Sequence, residues 1–390
     1  MTTQFTPADE SWMPHALALA GRGAWTTKPN PMVGCVLVAD DRIVGEGWHQ
    51  WAGQAHAEVL ALQAAGDAAR GATAYITLEP CHRYGRTPPC VEALIAAGVA
   101  RVVFASADPA QRDYRTDNDA DTGDSEGLER LRAAGIQVEG GLLAAQAREL
   151  NRGFFARIER KRPWLRVKLG MSLDGRTALA DGRSQWITGE HARADVMAWR
   201  ARSSALLTGS STVRHDNPRL TVRLDGTPPT TAPDGSAATA ESAFVPPLRV
   251  VLDTGLAIPT NSHLLDGSVA TLVFHAGNAR PAAHFAQTST IAVPEQRGLL
   301  DLPTVLAELA QRGCNEIQVE AGATLAGAFV AAGLCDELLL YVAPRLLGDS
   351  ARSLLRLPAL SALSEARSWQ WHDCQRLGED LRLCLRPPAP

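Results

Sequence analysis

One histidine and two cysteines stand at a spacing that can hold a metal: His56-Ala57-Glu58, then Pro80-Cys81, then Cys90. An imidazole and two thiolates fill three corners of a zinc tetrahedron and leave the fourth for water. Zinc lowers the pKa of such a water, so that hydroxide exists near neutral pH. Glu58 lies two residues from the histidine, close enough to carry protons between the water and a departing amine without binding metal itself. Pro88-Pro89 suits the first turn of a helix, and Cys90 directly after it sits near the positive end of the helix dipole, which favours thiolate. His56 begins another helix, so it and Glu58 can point toward the same place.

This ligand order matches the His-x-Glu, Pro-Cys, Cys signature of zinc-dependent base deaminases. It departs from the shorter Cys-x-x-Cys by having eight residues between Cys81 and Cys90. Two other readings share the set. A structural zinc module would not need Glu58. A deaminase of nucleic-acid bases would need a basic, aromatic-bearing groove for a strand. The chain has 38 Lys+Arg against 42 Asp+Glu, a formal charge of −4, which argues against a general nucleic-acid or membrane-surface binder. Only Lys28, Lys161 and Lys168 are lysine, a scarcity that makes each of them conspicuous.

The elements that must position these residues follow from pattern. At roughly 100–200 residues per domain, 390 residues predict two domains. Met32 to Ala39 and Arg42 to Trp48 read as a hairpin around Asp40-Asp41, and Ala57 to Ala65 as a helix closed by Gly66. Ala74 to Leu78 reads as a buried strand. A helix from Pro88-Pro89 to Ala97 and a strand from Arg101 to Ala105 follow. This is an α/β layer domain with a hairpin at one edge. Asp113 to Glu126 holds six acids and reads as a solvated loop. A helix over Leu128 to Ala134, a strand over Ile136 to Glu139 and one helix over Leu142 to Ile158 complete the domain, placed at 1–155.

The second domain, 156–390, alternates again. Strands are expected at Trp164 to Leu169, Ala205 to Thr208, Leu248 to Leu252, Ala270 to Phe274, Ile317 to Glu320 and Glu337 to Ala343. Helices are expected at Glu190 to Arg202, Leu302 to Arg312 and Leu325 to Ala332, giving a largely parallel sheet. Trp369 to His372 and Asp380 to Leu385 look like a closing hairpin. Asp225 to Pro247, rich in Pro, Thr, Ala and Ser, reads as a long flexible insertion. No apolar run is long enough to span a membrane, and the N-terminus lacks the pattern of a secretory signal. Seven scattered cysteines do not form a disulfide framework, so a reducing cytoplasm is expected.

Chemistry in this half is less explicit. The first strand is not followed by Gly-x-Gly-x-x-Gly, so the common dinucleotide fingerprint is absent. Glu320-Ala321-Gly322 through Gly327, after a strand, could let backbone approach a phosphate at a helix N-terminus, and Gly209-Ser210-Ser211-Thr212 is similar. An ordinary strand-to-helix turn has the same pattern. Lys168 and Asp174 flank a strand end where apolar residues would be ordinary; a site lysine and a salt-bridged lysine are both open. Arg183, Arg200 and Arg223 are candidates for a sugar phosphate, because guanidinium matches phosphate bidentately.

With these residues in view, the chain resembles the bifunctional deaminase/reductases of riboflavin biosynthesis. The stretches that carry the resemblance are Pro29-Asn30-Pro31-Met32-Val33-Gly34-Cys35-Val36, Gly47-Trp48-His49, His56-Ala57-Glu58 and Thr77 to Cys81 continuing to Gly85-Arg86-Thr87-Pro88-Pro89-Cys90. In the second half they are Lys168 to Thr177, Ser184-Gln185-Trp186-Ile187-Thr188, Asp216 to Arg223 and Glu320-Ala321-Gly322. The resemblance implies a cytidine-deaminase-like, three-layer N-terminal domain and a dihydrofolate-reductase-like α/β C-terminal domain. It implies deamination of 2,5-diamino-6-(ribosylamino)pyrimidin-4-one 5′-phosphate with one zinc, then NADPH reduction of the ribosyl to a ribityl group.

By the same resemblance His56, Cys81 and Cys90 bind zinc, Glu58 is catalytic, and Asn30 and His49 hold the pyrimidine. Lys168, Ser184, Arg200, Leu220, Arg223 and Glu320 surround the second substrate. Gly170, Trp186, Thr212, Asp216 and Thr254, with Gly322, Ala323, Thr324, Leu325, Ala326, Gly327 and Ala328, line NADPH. A homodimer, a small-molecule substrate, and no nucleic-acid or membrane partner are expected. The chain departs from the family in Arg83, where a histidine is usual, with His82 one place earlier; in Ala55 for proline; and in the acidic stretch after Asp108-Pro109.

Overall fold

Near-continuous apolar runs such as Gly34–Ala39, Thr73–Leu78 and Leu248–Leu252 leave the central strands with two buried faces, and both halves of the chain cover them with helices on either side. The computed structural model describes residues 5–111, 125–223, 244–286, 288–296 and 298–388, so most of the acidic loop at 113–126 and of the insertion at 225–247 lies outside the described residues. The chain divides into two units, one of Met1–Arg160 with Pro229–Val245 and the other of Lys161–Pro228 with Pro246–Pro390.

The first unit runs α1 (Pro7–Gly21), β1 (Gly34–Ala39), β2 (Arg42–Trp48), α2 (Ala57–Ala65), β3 (Thr73–Leu78), α3 (Cys90–Ala97), β4 (Arg101–Ser106), α4 (Glu126–Ala133), β5 (Gln137–Gly140), α5 (Ala144–Leu150) and α6 (Arg152–Arg160). Its sheet has the order β2-β1-β3-β4-β5, with the expected hairpin at the edge and β3, β4 and β5 parallel. Period-two alternation sorts the core. Cys35, Leu37, Ile76 and Phe104 pack with Ala57, Ala61, Val91 and Leu94 of α2 and α3. Val36, Val38, Tyr75 and Val103 pack with Met13, Ala16 and Leu19 of α1. The unit is therefore three layers, helix, sheet and helix.

Two features differ from the sequence reading. Helix α1 is absent from that reading, although Thr6-Pro7-Ala8-Asp9 forms a capping box with proline in the first turn. The single helix expected over Leu142 to Ile158 is two, parted at Asn151. The Asn151 side chain is used elsewhere: Oδ1 accepts from Met32 N and Nδ2 donates to Met32 O, each at 2.8 Å.

The second unit runs β6 (Trp164–Ser172), β7 (Arg176–Ala178), α7 (Glu190–Arg202), β8 (Ala205–Gly209), α8 (Ser210–Asp216), β9 (Leu248–Leu252), β10 (Thr271–Ala276), β11 (Ser289–Val293), β12 (Glu295–Gln296), β13 (Leu299–Leu300), α9 (Leu302–Gln311), β14 (Glu316–Val319), α10 (Ala323–Ala331), β15 (Glu337–Ala343), β16 (Arg352–Ser353), β17 (Gln370–Leu377) and β18 (Asp380–Arg386). Nine strands form one sheet, ordered β11-β10-β9-β8-β14-β6-β15-β18-β17. From β11 to β15 every neighbour is parallel, and the terminal hairpin is antiparallel. One face packs on α9 and α10 through Leu165, Val167, Leu207, Ile317 and Phe329. The other carries two smaller apolar clusters, one with Val213 of α8 and one with Val196 of α7.

Between those two clusters the face is polar. Arg166, fully buried, pairs with Glu316 and Glu337, and Arg202 and Arg386 close the same network. Further along the same strands stand Lys168, Gln318 and Glu320. A buried polar seam of this kind costs stability unless its members are matched, and its upper end is the candidate site.

Candidate functional site

In the first unit, helices α2 and α3 present their N-termini to the end of β3. His56 is the N-cap of α2 and Cys90 the first residue of α3. Cys81 follows β3 after Glu79-Pro80. His56 Nδ1 lies 3.5 Å from Cys81 Sγ and 3.3 Å from Cys90 Sγ, and the three donor atoms lie within 4.8 Å of one another. Tetrahedral bonds of about 2.1 Å to nitrogen and 2.3 Å to sulfur place the two donors about 3.6 Å apart, so the set fits zinc. His56 Nε2 lies 3.2 Å from Thr87 Oγ1, a partner that leaves Nδ1 free to face the sulfurs. A hydrogen bond with Cys90 and the nearby His56 pull the Cys81 thiol down against its burial, while the same contact and burial push Cys90 up. A dication among them would hold both as thiolates.

Glu58, in the first turn of α2, is buried, and that burial together with Cys81 raises its carboxyl to about 7. Such a group takes and returns a proton near neutral pH. His49 is also buried, and loss of hydration lowers it to about 4, so the ring is neutral. Its Nδ1 lies 3.1 Å from the Ala55 carbonyl and must donate to it; Nε2 then accepts from Asn30 Nδ2 at 3.0 Å. That arrangement leaves the Asn30 carbonyl oxygen as an acceptor. The ring of His49 stands edge-on to His56 with centroids 5.3 Å apart. The Asn151 bonds to Met32 fix the loop that carries Asn30.

Arg83 is exposed, and His82 does not take the place of the usual histidine. It is buried, packs against Gly127, and its backbone N–H donates to Gln111 Oε1. Glu79 binds both sides of the rim, accepting from Asp108 N and from the Ser125 hydroxyl. Thr87 and Asn151 are functional residues that the sequence reading misses. Thr87 lies inside the Gly85 to Cys90 motif, which is its signal, whereas Asn151 has none.

In the second unit the candidate residues collect at the carboxyl ends of parallel strands, where open α/β sheets bind ligands. Arg200 of α7 forms a bidentate pair with Glu320, at 2.7 and 2.8 Å, and donates to Thr221 O at 2.8 Å. Gln318 Nε2 donates to Glu320 as well, at 2.9 Å. Burial would raise the Glu320 carboxyl, but Arg200 and Lys168 outweigh it and hold it at about 2. Lys168 is lowered by burial and by Arg200, against the pull of Glu320. Its ammonium lies 5.7 Å from the Tyr341 ring and has no hydrogen-bond partner among the described residues. Arg200 is thus saturated by the protein, whereas Lys168 is left available.

Gly322 is the N-cap of α10 without a side-chain cap, and a Cβ there would meet nothing within 4 Å. Thr208 Oγ1 donates to Glu320 O at 2.8 Å, and Gly209 adjoins Leu325, so the two glycine-bearing turns are neighbours. This uncapped first turn, with its free N–H groups, fits a dinucleotide phosphate. Ala326 and Gly327, expected at the cofactor, instead face the core. Ala326 is buried in the α9 and α10 cluster, and Gly327 admits the Arg356 carbonyl, which a Cβ would meet at 2.1 Å. Thr254 lies two residues past the end of β9 and Gly170 lies on β6, while Thr212 and Asp216 lie on α8. Trp186 is exposed, with Arg193 4.7 Å over its ring. Ser184 precedes it, half-buried.

Leu220 is buried with a positive φ of 46°, a strained conformation for leucine. Arg223 is exposed and donates to Thr221 Oγ1. Arg183 is engaged by Asp181 at 2.7 Å. Asp174 accepts from Leu347 N and Gly348 N, which makes it a loop anchor.

A zinc hydrolase site on a three-layer α/β unit, followed by a parallel-sheet unit with an open helix turn, defines a deaminase joined to a reductase. Residues 6–106 match the cytidine and deoxycytidylate deaminase zinc-binding region, and residues 163–383 match the RibD C-terminal domain. The riboflavin biosynthesis protein RibD of Escherichia coli K12 is 46% identical over 97% of this chain and 99% of its own. That of Haemophilus influenzae is 45% identical over 98% and 99%. A solved Acinetobacter baumannii RibD superposes with a TM-score of 0.86 at 40% identity, covering 98% of this chain and 99% of that one. A diaminohydroxyphosphoribosylaminopyrimidine deaminase/5-amino-6-(5-phosphoribosylamino)uracil reductase of Thermotoga maritima gives 0.80 at 28% identity, covering 97% and 99%. The chain belongs to the RibD family, the bifunctional deaminase/reductases of riboflavin biosynthesis, with a zinc-binding deaminase domain and an NADPH-dependent reductase domain. Among the described residues no helix is long and apolar enough to cross a membrane.

Proposed function

We propose that the first unit deaminates 2,5-diamino-6-(ribosylamino)pyrimidin-4-one 5′-phosphate and that the second reduces the ribosyl group of the product to ribityl. The convergence of His56, Cys81, Cys90 and buried Glu58 supports the first step most directly. When bound, zinc supplies the Lewis acidity that makes water a nucleophile at neutral pH. Glu58 accepts the proton of the attacking water and delivers it to the departing amine, so that ammonia leaves and a carbonyl replaces the amidine C–N bond. The Asn30 carbonyl accepts from a pyrimidine N–H, and neutral His49 holds Asn30 in that orientation.

In the second unit, the first turn of α10 from Gly322 to Leu325 receives the phosphates of NADPH, the hydride source, and Gly170, Trp186, Thr212, Asp216 and Thr254 line its remaining length. Lys168 binds the sugar beside Glu320. Arg200 fixes Glu320 and the loop of Leu220 and Thr221, while Ser184 and exposed Arg223 are left for substrate oxygens. The boundary falls between residue 155, as read from sequence, and Arg160. The relative from Thermotoga maritima, whose two activities bear these substrate names, supports the choice of substrate. A cytoplasmic location and a homodimer complete the proposal; seven free cysteines support the first.

The test is one assay with the diaminopyrimidine ribotide, following ammonia and NADPH separately. Zinc chelation should abolish ammonia release and leave NADPH oxidation intact when deaminated substrate is given. Deamination of tRNA or single-stranded DNA, with the ribotide ignored, would overturn the proposal.

A further inference from the structure

Asn30 stands in an irregular loop, residues 22–33, between α1 and β1. Both ends of the loop are fixed. At its start Gly23 lies against His49, where a Cβ would meet the His49 carbonyl at 2.9 Å. At its far end Asn151 holds both backbone groups of Met32. Inside the loop, Thr26 N and Thr27 N donate to Gly23 O at 3.1 Å, and Asn30 N donates to Thr27 O at 2.8 Å. These turns tie Asn30 to Thr27 and Thr27 to Gly23, but they leave Trp25 and Lys28 to be held from elsewhere.

Val245 holds them. Its N–H donates to Trp25 O at 2.9 Å, and its carbonyl accepts from Lys28 Nζ at 3.1 Å. Both backbone groups of one residue are thus spent on the loop, as the whole Asn151 amide is spent on Met32. The contact spans 217 residues of sequence. Pro229–Val245 stands amid the second half of the chain yet belongs to the first unit, and the chain passes back to the second unit at Pro246. Pro246 and Pro247 have no N–H, so Val245 carries the last amide before β9.

Lys28 is one of the three lysines, and neither the zinc chemistry nor the reductase uses it. It is half-buried, and its compact ammonium reaches a single carbonyl that a planar guanidinium would meet in a different geometry. Arg157 of α6 lies 3.5 Å from the next carbonyl, that of Pro29. Two cations therefore draw in the outer side of the turn that presents Asn30.

We propose that Lys28 and Val245 are positioning residues for deamination, clamping the outer side of the loop so that the Asn30 carbonyl meets the pyrimidine. The inference rests on the reading of Asn30 as a pyrimidine ligand given above. Both residues act through Asn30, on binding, so KM carries their effect; kcat, set by zinc and Glu58, does not. The deaminase then depends on a residue that lies far beyond its own sheet in the sequence.

The test is full-chain kinetics with the diaminopyrimidine ribotide. Lys28→Met should raise the deaminase KM about tenfold, the equivalent of one hydrogen bond from a charged group, with kcat within about twofold. Lys28→Arg, which restores a cationic donor, should recover most of that loss. Zinc content and NADPH oxidation on deaminated substrate should match wild type in both. Asn30→Ala, measured in parallel, should raise the KM at least as much. A further readout needs no variant: saturating deaminated product should slow hydrogen exchange at the Val245 amide at least about fivefold, because a ligand favoured by the clamp must favour the clamp in return. The Leu248 amide, bonded to Ser204 O, is the internal control. With Asn30→Ala impaired, an unchanged KM in Lys28→Met or Val245 exchange indifferent to product overturns the clamp and leaves Asn30 at the pyrimidine. Asn30→Ala with the wild-type KM overturns both.

Discussion

Replacing Asn151 by alanine isolates how one side chain outside the catalytic set governs the deaminase. Asn151 is buried, and its amide satisfies both the N–H and the C=O of Met32 at 2.8 Å. Alanine removes both partners and strands two backbone groups in a protein interior. At roughly 1–3 kcal/mol for each unsatisfied group, the bound loop is destabilised by about 3 kcal/mol. That corresponds to a shift of about 150-fold toward an open loop. Asn30 is two residues from Met32, so its carbonyl loses its aim and the deaminase KM rises. Helix propensity does not offset this, because alanine merely permits α5 and α6 to merge. The assay is full-chain kinetics, with NADPH oxidation on deaminated substrate as the internal control, together with hydrogen exchange at the 32–34 amides. Exchange accelerated less than fivefold, with an unchanged deaminase KM, would refute the anchoring role.

Other outcomes follow from the two sites. Glu58→Gln should stop ammonia release while the protein still binds one zinc per chain by metal analysis; retained turnover would remove Glu58 from the chemistry. Lys168→Met should lower NADPH oxidation by at least 100-fold and leave deamination unchanged, and equal activity would show that the ammonium is not used. Glu320 has a folded pKa of about 2 against an ordinary 4.5, so its charged form stabilises the second unit. That contribution, about 3 kcal/mol, is fully present above about pH 5 and is lost as the pH falls toward 2. Glu320→Gln should therefore flatten the stability-versus-pH curve of that unit between pH 5 and 2; an unchanged slope in denaturant titrations would contradict the pairing with Arg200.

The sequence discloses most where chemistry and local structure coincide. His56, Cys81 and Cys90 each sit at the start of a helix or just past a strand, so spacing alone points to their convergence, and the fold brings their donor atoms within 4.8 Å of one another. Strands such as Leu248–Leu252 and Glu337–Ala343, and the helix Glu190–Arg202, match their periodic signals end to end. Asn151 breaks a helix for a reason that lies 119 residues away, and no local pattern reports such a partner. The reductase site is the least legible, because it is assembled from the ends of several strands. Arg200 reads as a phosphate ligand in the sequence, and only the fold reveals Glu320, 120 residues on, as its partner. Helix α1 escapes notice despite its capping box, because Pro14 interrupts the pattern that would draw attention to it.

The strand order carries a consequence for synthesis. The first sheet is built from neighbours near in sequence and is complete by Gly140, so that unit can form, with its metal ligands, once Arg160 has left the ribosome. The second sheet cannot close so early. Strand β14, residues Glu316–Val319, lies between β8 and β6, and until it arrives those two strands have no shared neighbour. At roughly 5–20 residues per second the ribosome needs roughly 10–30 s to deliver it. During that interval the deaminase half can be finished while the apolar edges of the reductase half are unmatched, and nascent chains should depend on chaperones until β14 emerges.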